Sequence, residues 1–379
     1  MENKFFFYIW RKKKIVIPIA TIIAIIIIGI LLVNLEKNRA YDTYRVISSV
    51  DSNDDGTFHY SKYKDGVVRY NPEGLSYYAG GKEIFNKAFQ MTAPVIDVNG
   101  DYIVFGDRNT TNISLFDGEG KEYNITATCA VVGVTVSKKG VVAAILDDGT
   151  ANYIELYDKE GVRLVSGRTV VEGDGYPVSI AISDDSEKLI ASYLAVSEGK
   201  AHSKVVFYNY SSVGENEVDR VVGGFNQYED TLVPKVKFIN NTTAVAIGDE
   251  MFSIYSIDEK PELIYEDKVT EKIEKVFYST EYIGMVLKDS QKAGNYIIKV
   301  YNQNGKMVCN KNTDFAIEGI RFAGNNVVVF NNAICQMYSF RGKNRFNNSF
   351  DARIIDIQPI SDKQYIAIIE GKIEEIKLK

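Results

Sequence analysis

Residues 154–162 read IELYDKEGV, a strand-like phrase that carries an aromatic residue, Tyr157, and runs on to a glycine. Similar phrases stand at residues 113–121 (ISLFDGEGK), 298–306 (IKVYNQNGK) and 334–343 (ICQMYSFRGK). The aromatic position recurs along the chain at Tyr78, Phe116, Tyr157, Tyr208, Tyr255, Tyr301 and Tyr338, with spacings of 38, 41, 51, 47, 46 and 37 residues. Such a period is typical of a β-propeller, in which one four-stranded blade cannot bury its two faces without neighbours. The sequence therefore predicts an all-β propeller.

The same rhythm predicts the number of blades. A further step of 38 residues beyond Tyr338 reaches Ile376 in the last strand-like segment, so an eighth blade would lack its outer strand. The strand-like segment 44–50 (YRVISSV) stands unassigned before the first blade. We expect it to pair with residues 373–378 and to close the ring, which removes exposed sheet edges. Seven blades is the alternative, because residues 57–63 form a poor inner strand.

An apolar segment precedes the repeats. Residues 15–33 (IVIPIATIIAIIIIGILLV) contain no charge and follow four consecutive basic residues. At about 1.5 Å per residue this segment spans roughly 28 Å, close to the thickness of the bilayer core. A cleaved signal peptide would have a shorter apolar region and a small-residue cleavage site, which residues 34–39 lack. Because basic residues stay on the cytoplasmic side, we expect the propeller outside the cell membrane. The predicted regions are a cytoplasmic basic tail (1–14), one transmembrane helix (15–33), a linker (34–43) and an extracytoplasmic propeller (44–379).

The charge balance limits the class of partner. The chain has a net charge of −6, and residues 1–33 contain five basic residues and one acidic residue, so the remainder carries −10. An acidic domain of this kind argues against nucleic acid or anionic lipid as its partner. The membrane remains an expected partner through the single-pass anchor.

The residue types that catalyse reactions or bind metals are sparse. The chain has two histidines, His59 and His202, which are too far apart in sequence for a clustered metal site and lie in no nucleophile-elbow pattern. Residues 51–56 (DSNDDG) match the first half of a calcium loop, but the twelfth position is Lys62 rather than Glu. A looser calcium site at Asp51, Asn53 and Asp55 stays open beside the alternative of a polar turn. We expect no enzyme and no other cofactor.

Two longer connections interrupt the repeat near the fourth blade. They are residues 197–203 and 223–233 (GGFNQYEDTLV), and residues 174–177 lie beside them. Departures from a repeat often mark the binding face. The predicted partner contacts are Tyr176, Phe225, Tyr228, Glu229 and Asp230. The alternative is variation in loop length without function.

The chain resembles a known family in several stretches: residues 66–74 (GVVRYNPEG), 94–102 (PVIDVNGDY), 175–178 (GYPV), 205–209 (VVFYN) and 219–225 (DRVVGGF). The similar proteins are membrane-anchored bacterial proteins, mainly of clostridial-type Firmicutes, that contain a domain of unknown function. The resemblance implies a propeller of the quinoprotein-like or WD-like class at a Gram-positive cell surface. It implies no active-site residues.

Three functions agree with these observations. The first is a protein-binding or scaffolding module of the cell envelope. The second is a cell-wall glycan-binding protein, for which tyrosine and phenylalanine rings would supply stacking surfaces. The third is a glycan hydrolase or lyase with paired carboxylates at the mouth of the channel.

Overall fold

The protein is an eight-bladed β-propeller in a computed structural model that describes residues 21–29, 39–52, 54 and 56–379. Eight antiparallel sheets of four strands surround a central channel. The first strands of neighbouring blades contact each other around this channel, so they are the innermost strands. The predicted fold class and the preference for eight blades are confirmed.

Each blade is built from consecutive strands, except that the last blade takes its outermost strand from the N-terminal end of the propeller. From the innermost strand outward, blades 1 to 4 are β2 (His59–Tyr63), β3 (Gly66–Asn71), β4 (Gly74–Ala79), β5 (Lys82–Ala88); β6 (Pro94–Asn99), β7 (Tyr102–Asp107), β8 (Asn112–Phe116), β9 (Glu122–Thr126); β10 (Ala130–Val136), β11 (Val142–Asp147), β12 (Asn152–Tyr157), β13 (Arg163–Thr169); and β14 (Tyr176–Ile182), β15 (Lys188–Ser197), β16 (Lys200–Asn209), β17 (Val221–Tyr228). Blades 5 to 8 are β18 (Lys235–Asn240), β19 (Thr243–Ile247), β20 (Met251–Ile257), β21 (Pro261–Lys268); β22 (Ile273–Tyr278), β23 (Tyr282–Lys288), β24 (Tyr296–Asn302), β25 (Met307–Thr313); β26 (Gly319–Ala323), β27 (Asn326–Phe330), β28 (Ile334–Ser339), β29 (Asn344–Ser349); and β30 (Ile354–Pro359), β31 (Gln364–Ile369), β32 (Lys372–Leu378), β1 (Tyr44–Asp51). Two 3₁₀ helices, Ser212–Asn216 and Val218–Arg220, lie between β16 and β17.

The ring is closed by strand β1. Its register against β32 runs from Tyr44 opposite Leu378 to Asp51 opposite Lys372. The pairing expected between residues 44–50 and 373–378 is therefore present. It supplies the outermost strand that the eighth blade lacks in sequence order, and it leaves every blade with four strands.

Residues 39–43, which the sequence analysis assigned to the linker, lie against blade 7. Tyr41 forms a parallel bridge with Phe346 of β29 and is only 4% exposed. The guanidinium of Arg345 donates to the backbone oxygen of Arg39 at 2.9 Å. The segment before β1 is thus attached to the ring, because burial of the Tyr41 ring favours docking over a free linker.

The recurring aromatic residue packs between blades. Each of the eight hydrophobic clusters joins two adjacent blades, and each contains one residue of this series, ending with Ile376 between blades 7 and 8. The pairing register between the third and fourth strands shifts at this residue in every blade except the second. A β-bulge twists the outer strand and re-aims the side chain. The repeat in the sequence therefore reports the packing of one blade on the previous one.

The N-terminal region is described only in part. Residues 21–29 are helical, and the remainder of the predicted tail, transmembrane helix and linker up to residue 38 lies outside the described residues. None of the helical segments in the described part of the chain is both long and apolar enough to cross a bilayer.

The two faces of the ring differ in their relation to the N-terminus. The chain reaches the ring at Thr43, which lies beside Lys379 at the end of β32. We call this side the N-terminal face. It carries the turns that follow the first and third strands of every blade. The opposite face carries the turns that follow the second strands and the connections between blades.

A glycine covered by an aromatic ring recurs in neighbouring blades. Gly284 of β23 pairs with Phe277 of β22, and Gly319 of β26 pairs with Phe330 of β27. A Cβ atom on Gly284 would lie 2.2 Å from the Phe277 ring, and one on Gly319 would lie 1.9 Å from the Phe330 ring. Each ring fills the space above a residue that has no side chain.

We expect Gly284→Ala to lower the free energy of unfolding by about 1–3 kcal/mol, because the methyl group overpacks the core. Urea unfolding followed by intrinsic fluorescence measures this change. Gly224→Ala is the matched control, since a Cβ atom there meets only the Val205 oxygen, at 3.9 Å. Equal stability of the two variants would contradict the packing argument.

Candidate functional site

The fourth blade differs from the others in the length of its central hairpin. Strands β15 and β16 have ten residues each, whereas the second and third strands of the other blades have five to seven. Their pairing is unbroken from Lys188 opposite Asn209 to Ser197 opposite Lys200. At about 3.3 Å per residue, the three to five additional residues extend the hairpin by roughly 10–16 Å. The hairpin therefore projects from the opposite face of the ring.

The tip of this hairpin is a tight two-residue turn. Glu198 and Gly199 both have positive φ angles, 55° and 80°, as a type I′ turn requires. Val196, two residues before Glu198, is 72% exposed. A tightly closed hairpin of this kind presents its side chains on a rigid support.

The connection between blades 4 and 5 lies beside the tip. The carboxylate of exposed Asp230 is 3.8 Å from the ammonium group of Lys200. The backbone beyond it is held in place, because Ser203 accepts from the Val233 amide at 2.9 Å and Ser192 donates to the Val233 oxygen at 2.6 Å. The loop is anchored at its base, and its first residues remain exposed to solvent.

The connection between blades 3 and 4 lies on the other side of the same hairpin. The Lys204 ammonium donates to the Gly173 oxygen at 3.2 Å, which links this connection to the hairpin. We call residues 170–174, 196–201 and 229–232 together the blade 4 surface. Its exposed carboxylates are Glu172, Asp174, Glu198, Glu229 and Asp230, and its exposed aliphatic side chains include Val171, Val196 and Leu232. Lys200 is its one cationic side chain. The surface is acidic with a few apolar side chains.

The structure separates the five predicted contact residues. Glu229 and Asp230 are exposed on the blade 4 surface. Tyr176 is half-buried at the start of β14, and its hydroxyl donates to Asp147 at 3.4 Å. Burial, followed by the nearby Asp147 carboxylate, raises the pKa of Tyr176 above its usual value. Phe225 is half-buried, and its ring centroid lies 4.6 Å from that of Tyr255.

Tyr228 was predicted as a partner contact, and the structure corrects this prediction. Its side chain is fully buried, and its hydroxyl donates to Ser253 at 2.8 Å and shares a hydrogen bond with Tyr255. The ring packs between blades 4 and 5, so it cannot meet a partner at the surface. Residues 223–228 belong to strand β17, and residues 197–203 belong mostly to the long hairpin, so neither is the loop that was predicted.

The reason for these errors is local. Glycine and asparagine favour turns, but cross-strand pairing at Val205–Phe225 and Val206–Gly224 holds this stretch as an outer strand. The exposed position of Val196 was also missed. An apolar residue gives no signal of exposure in the sequence, and only the length of the hairpin places it beyond the core.

The calcium site cannot be assembled from the described residues. Asn53 and Asp55 lie outside them, and Asp51 ends strand β1. The neighbouring Asp54 accepts from the Gly56 amide at 2.7 Å and from the Tyr60 hydroxyl at 2.6 Å. No group of three or more histidine, cysteine or acidic side chains in the described part of the chain is arranged to hold a metal. The looser calcium site stays a prediction.

Three of the carboxylates that line the central channel have cationic partners. The Arg321 guanidinium lies 3.0 Å from Asp356, which also accepts from the Ile357 amide. At the other mouth, Asp97 lies 3.5 Å from Lys237, and Asp184 lies 2.7 Å from Lys138. A general acid is favoured by a carboxyl held away from positive charge. The geometry gives no specific support to the glycan hydrolase or lyase.

Comparison with known proteins supports the fold. A family profile described as "Family of unknown function (DUF5711)" matches residues 37–378. Sqt1 from Saccharomyces cerevisiae is 10% identical over 90% of this chain and 99% of its own, with a TM-score of 0.56. Sqt1 from Chaetomium thermophilum is 10% identical over 88% of this chain and 98% of its own, also with a TM-score of 0.56. A eukaryotic initiation factor is 9% identical over 88% and 84%, with a TM-score of 0.53. No curated protein matches the chain.

Proposed function

We propose that this chain, which belongs to the family of unknown function DUF5711, is a membrane-anchored protein-binding module of the cell envelope that docks its partner on the blade 4 surface. The observation that carries the proposal is the long hairpin β15–β16, which projects acidic and aliphatic side chains from a ring that is otherwise regular. A closed propeller is a rigid support for such a surface. The proposed activity is binding and scaffolding rather than catalysis.

The chemistry of the surface indicates the kind of partner. Five exposed carboxylates lie beside aliphatic side chains that are 40% to 72% exposed. A protein that presents lysine or arginine around a small apolar contact would complement both features. Glycan recognition is less favoured at this site, because two of the three aromatic rings predicted there, Phe225 and Tyr228, pack into the interface between blades 4 and 5.

Membrane anchoring is part of the proposal and rests on the N-terminal helix. Its described portion, residues 21–29, exposes isoleucine side chains all round the helix: Ile22, Ile23, Ile25, Ile26, Ile27 and Ile28. A helix that is apolar on every side needs an apolar environment such as a bilayer. The basic residues 11–14 support a cytoplasmic N-terminus. The blade 4 surface lies on the face that is opposite to residues 39–43, so it would point away from the membrane.

A charge-reversal experiment tests the proposed surface. We expect the double variant Glu229→Lys and Asp230→Lys to reduce partner recovery at least about tenfold, because two exposed attractive charges become repulsive. The melting temperature should stay within about 2 °C, since exposed substitutions change stability by about 0.5 kcal/mol or less. The measurement is crosslinking of the full-length chain in native membranes, followed by quantitative mass spectrometry of the captured proteins.

The matched control reverses two exposed carboxylates on the N-terminal face. Glu119 and Glu160 lie in the turns that follow the third strands of blades 2 and 3. The variant Glu119→Lys and Glu160→Lys changes the net charge equally but leaves the blade 4 surface intact. If both double variants lose the same partners, non-specific charge rather than this surface explains the capture.

A further inference from the structure

A second site lies in the central channel, at the mouth on the N-terminal face. The cavity there has a volume of about 640 Å³, within the range of small-molecule sites. It is lined by four lysines, Lys62, Lys138, Lys235 and Lys237, and by two carboxylates, Asp97 and Asp184. The lining therefore has a formal charge of +2, although the chain as a whole carries −6. We call this space the lysine cavity.

Two of the lysines are neutralised by the carboxylates. Lys237 lies 3.5 Å from Asp97, and Lys138 lies 2.7 Å from Asp184. Both carboxylates are fixed further by neutral donors, since Asp97 accepts from the Thr135 hydroxyl at 2.6 Å and Asp184 accepts from the Asn99 amide at 2.9 Å. These hydrogen bonds hold the charged groups around the cavity in defined positions.

The other two lysines supply the surplus charge. In the described part of the chain, neither Lys62 nor Lys235 has a carboxylate within 4.0 Å. The ammonium group of Lys62 donates to the backbone oxygen of Pro359, which orients the group without neutralising it. Lysine ammonium groups are common ligands of phosphate, because they concentrate a full charge at one point and donate three hydrogen bonds. Two of them supply positive charge to one cavity, which favours a phosphate group.

An exposed aromatic ring at the same cavity indicates what the phosphate is attached to. Tyr278 is 40% exposed, whereas the other tyrosine and phenylalanine side chains in the described part of the chain are buried or half-buried. Its ring centroid lies 5.9 Å from the Lys237 ammonium group. Ser279 and Thr280, which follow it, also line the cavity and offer hydroxyl groups. A partly exposed ring beside hydroxyl donors suits a sugar.

We propose that the lysine cavity binds a phosphate-bearing sugar, with Lys62 and Lys235 on the phosphate group and Tyr278 on the sugar ring. This site is independent of the blade 4 surface and of a protein partner. The same phosphate and sugar chemistry could be presented by a soluble sugar phosphate or by a lipid headgroup, because the cavity opens on the N-terminal face. The experiment therefore uses one probe for each source.

Calorimetry on the full-length chain in zwitterionic detergent micelles tests the proposal. The soluble probes are glucose 6-phosphate, inorganic phosphate and glucose, and the lipid probe is phosphatidylinositol mixed into the micelles. We expect glucose 6-phosphate or phosphatidylinositol to bind at least about tenfold more tightly than inorganic phosphate, which corresponds to one extra favourable contact. Glucose alone should show no heat. Absence of binding by both phosphate-bearing sugars would overturn the proposal.

Variants assign the binding to the cavity. We expect Lys62→Gln together with Lys235→Gln to weaken binding of the phosphate-bearing sugar at least about tenfold, and Tyr278→Ala to remove its advantage over inorganic phosphate. Lys275→Gln is the matched control, because Lys275 lines a separate cavity of about 470 Å³ nearer the opposite face. Melting curves show that each variant is folded. Equal weakening by the control, or unchanged binding in the double lysine variant, would overturn the assignment.

Discussion

Deletion of residues 1–51 is expected to lower the melting temperature by about 10 °C or more, because the eighth blade loses its outermost strand. The deletion removes Tyr41, which is 4% exposed, and Tyr44, whose ring stacks on Phe350 with centroids 4.6 Å apart. Loss of these contacts and of the partly buried Val50 costs of the order of 5 kcal/mol in hydrophobic burial. The backbone groups of β32 then form an open edge, which favours association between chains.

The matched control for this experiment is deletion of residues 1–38. It removes the predicted anchor and keeps the segment that docks on blade 7 and closes the ring. Differential scanning calorimetry and light scattering on the two truncated proteins compare stability and association. Equal melting temperatures would show that β1 does not hold the ring together.

Glu155→Ala is expected to lower the free energy of unfolding by about 3 kcal/mol, because it removes a buried carboxylate with four hydrogen-bond donors around it. Glu155 lies on β12 and is 1% exposed. It accepts from Thr128 at 2.9 Å, from Arg163 at 3.0 Å and from Ser166 at 2.8 Å, and also from the Tyr157 hydroxyl. Substitution by alanine leaves the buried Tyr157 hydroxyl without this acceptor, while the three other donors belong to exposed residues.

The pH dependence gives a second measurement on the same residue. Burial acts to raise the pKa of Glu155, but the hydrogen bonds from Tyr157, Ser166 and Thr128 and the charge of Arg163 outweigh it and lower the pKa below 4.5. A carboxyl with a depressed pKa in the folded state contributes stability above its unfolded pKa, and this contribution is lost as the pH falls through the folded pKa. The difference between wild type and Glu155→Ala should therefore be largest near pH 7 and should shrink in acid.

Chemical unfolding at several pH values measures this difference. Glu160→Ala is the control, because the Glu160 side chain is 57% exposed and its ion pair with Lys159 is at the surface. The control should change stability by less than about 0.5 kcal/mol. A loss for Glu155→Ala that is independent of pH would indicate a packing effect rather than the charged network.

The sequence predicted the ring because blade packing repeats. One large residue per blade must fill the space against the previous blade, so the chain shows an aromatic or aliphatic residue at a regular spacing from Tyr78 to Ile376. Closure was predictable for the same reason. A blade that lacks one strand leaves one strand-like segment unpaired, and residues 44–50 were the segment available.

The partner-binding residues were predicted less well than the fold, because surface exposure does not repeat from blade to blade as core packing does. Glu229 and Asp230 were placed at the surface, but Tyr228, their neighbour in sequence, is buried between blades 4 and 5. Alternation along a strand puts adjacent side chains on different sides. The continuation of strand β17 to Tyr228 was not predictable from a stretch rich in glycine and polar residues, so the direction of each side chain was not predictable either.

What the sequence by itself determined is the architecture: eight blades, the closing strand and the interfaces between blades. The repeat spacing gives the number of blades and leaves one strand-like segment without a partner. What only the tertiary structure decided is the assembly of residues that are distant in the chain. Lys62, Lys138, Lys235 and Tyr278 belong to four different blades, and they meet at one cavity because the ring brings their inner strands around a common axis. Electrostatic interactions depend on distance in space rather than on separation in sequence, so a basic cavity inside an acidic protein becomes visible only in the folded ring.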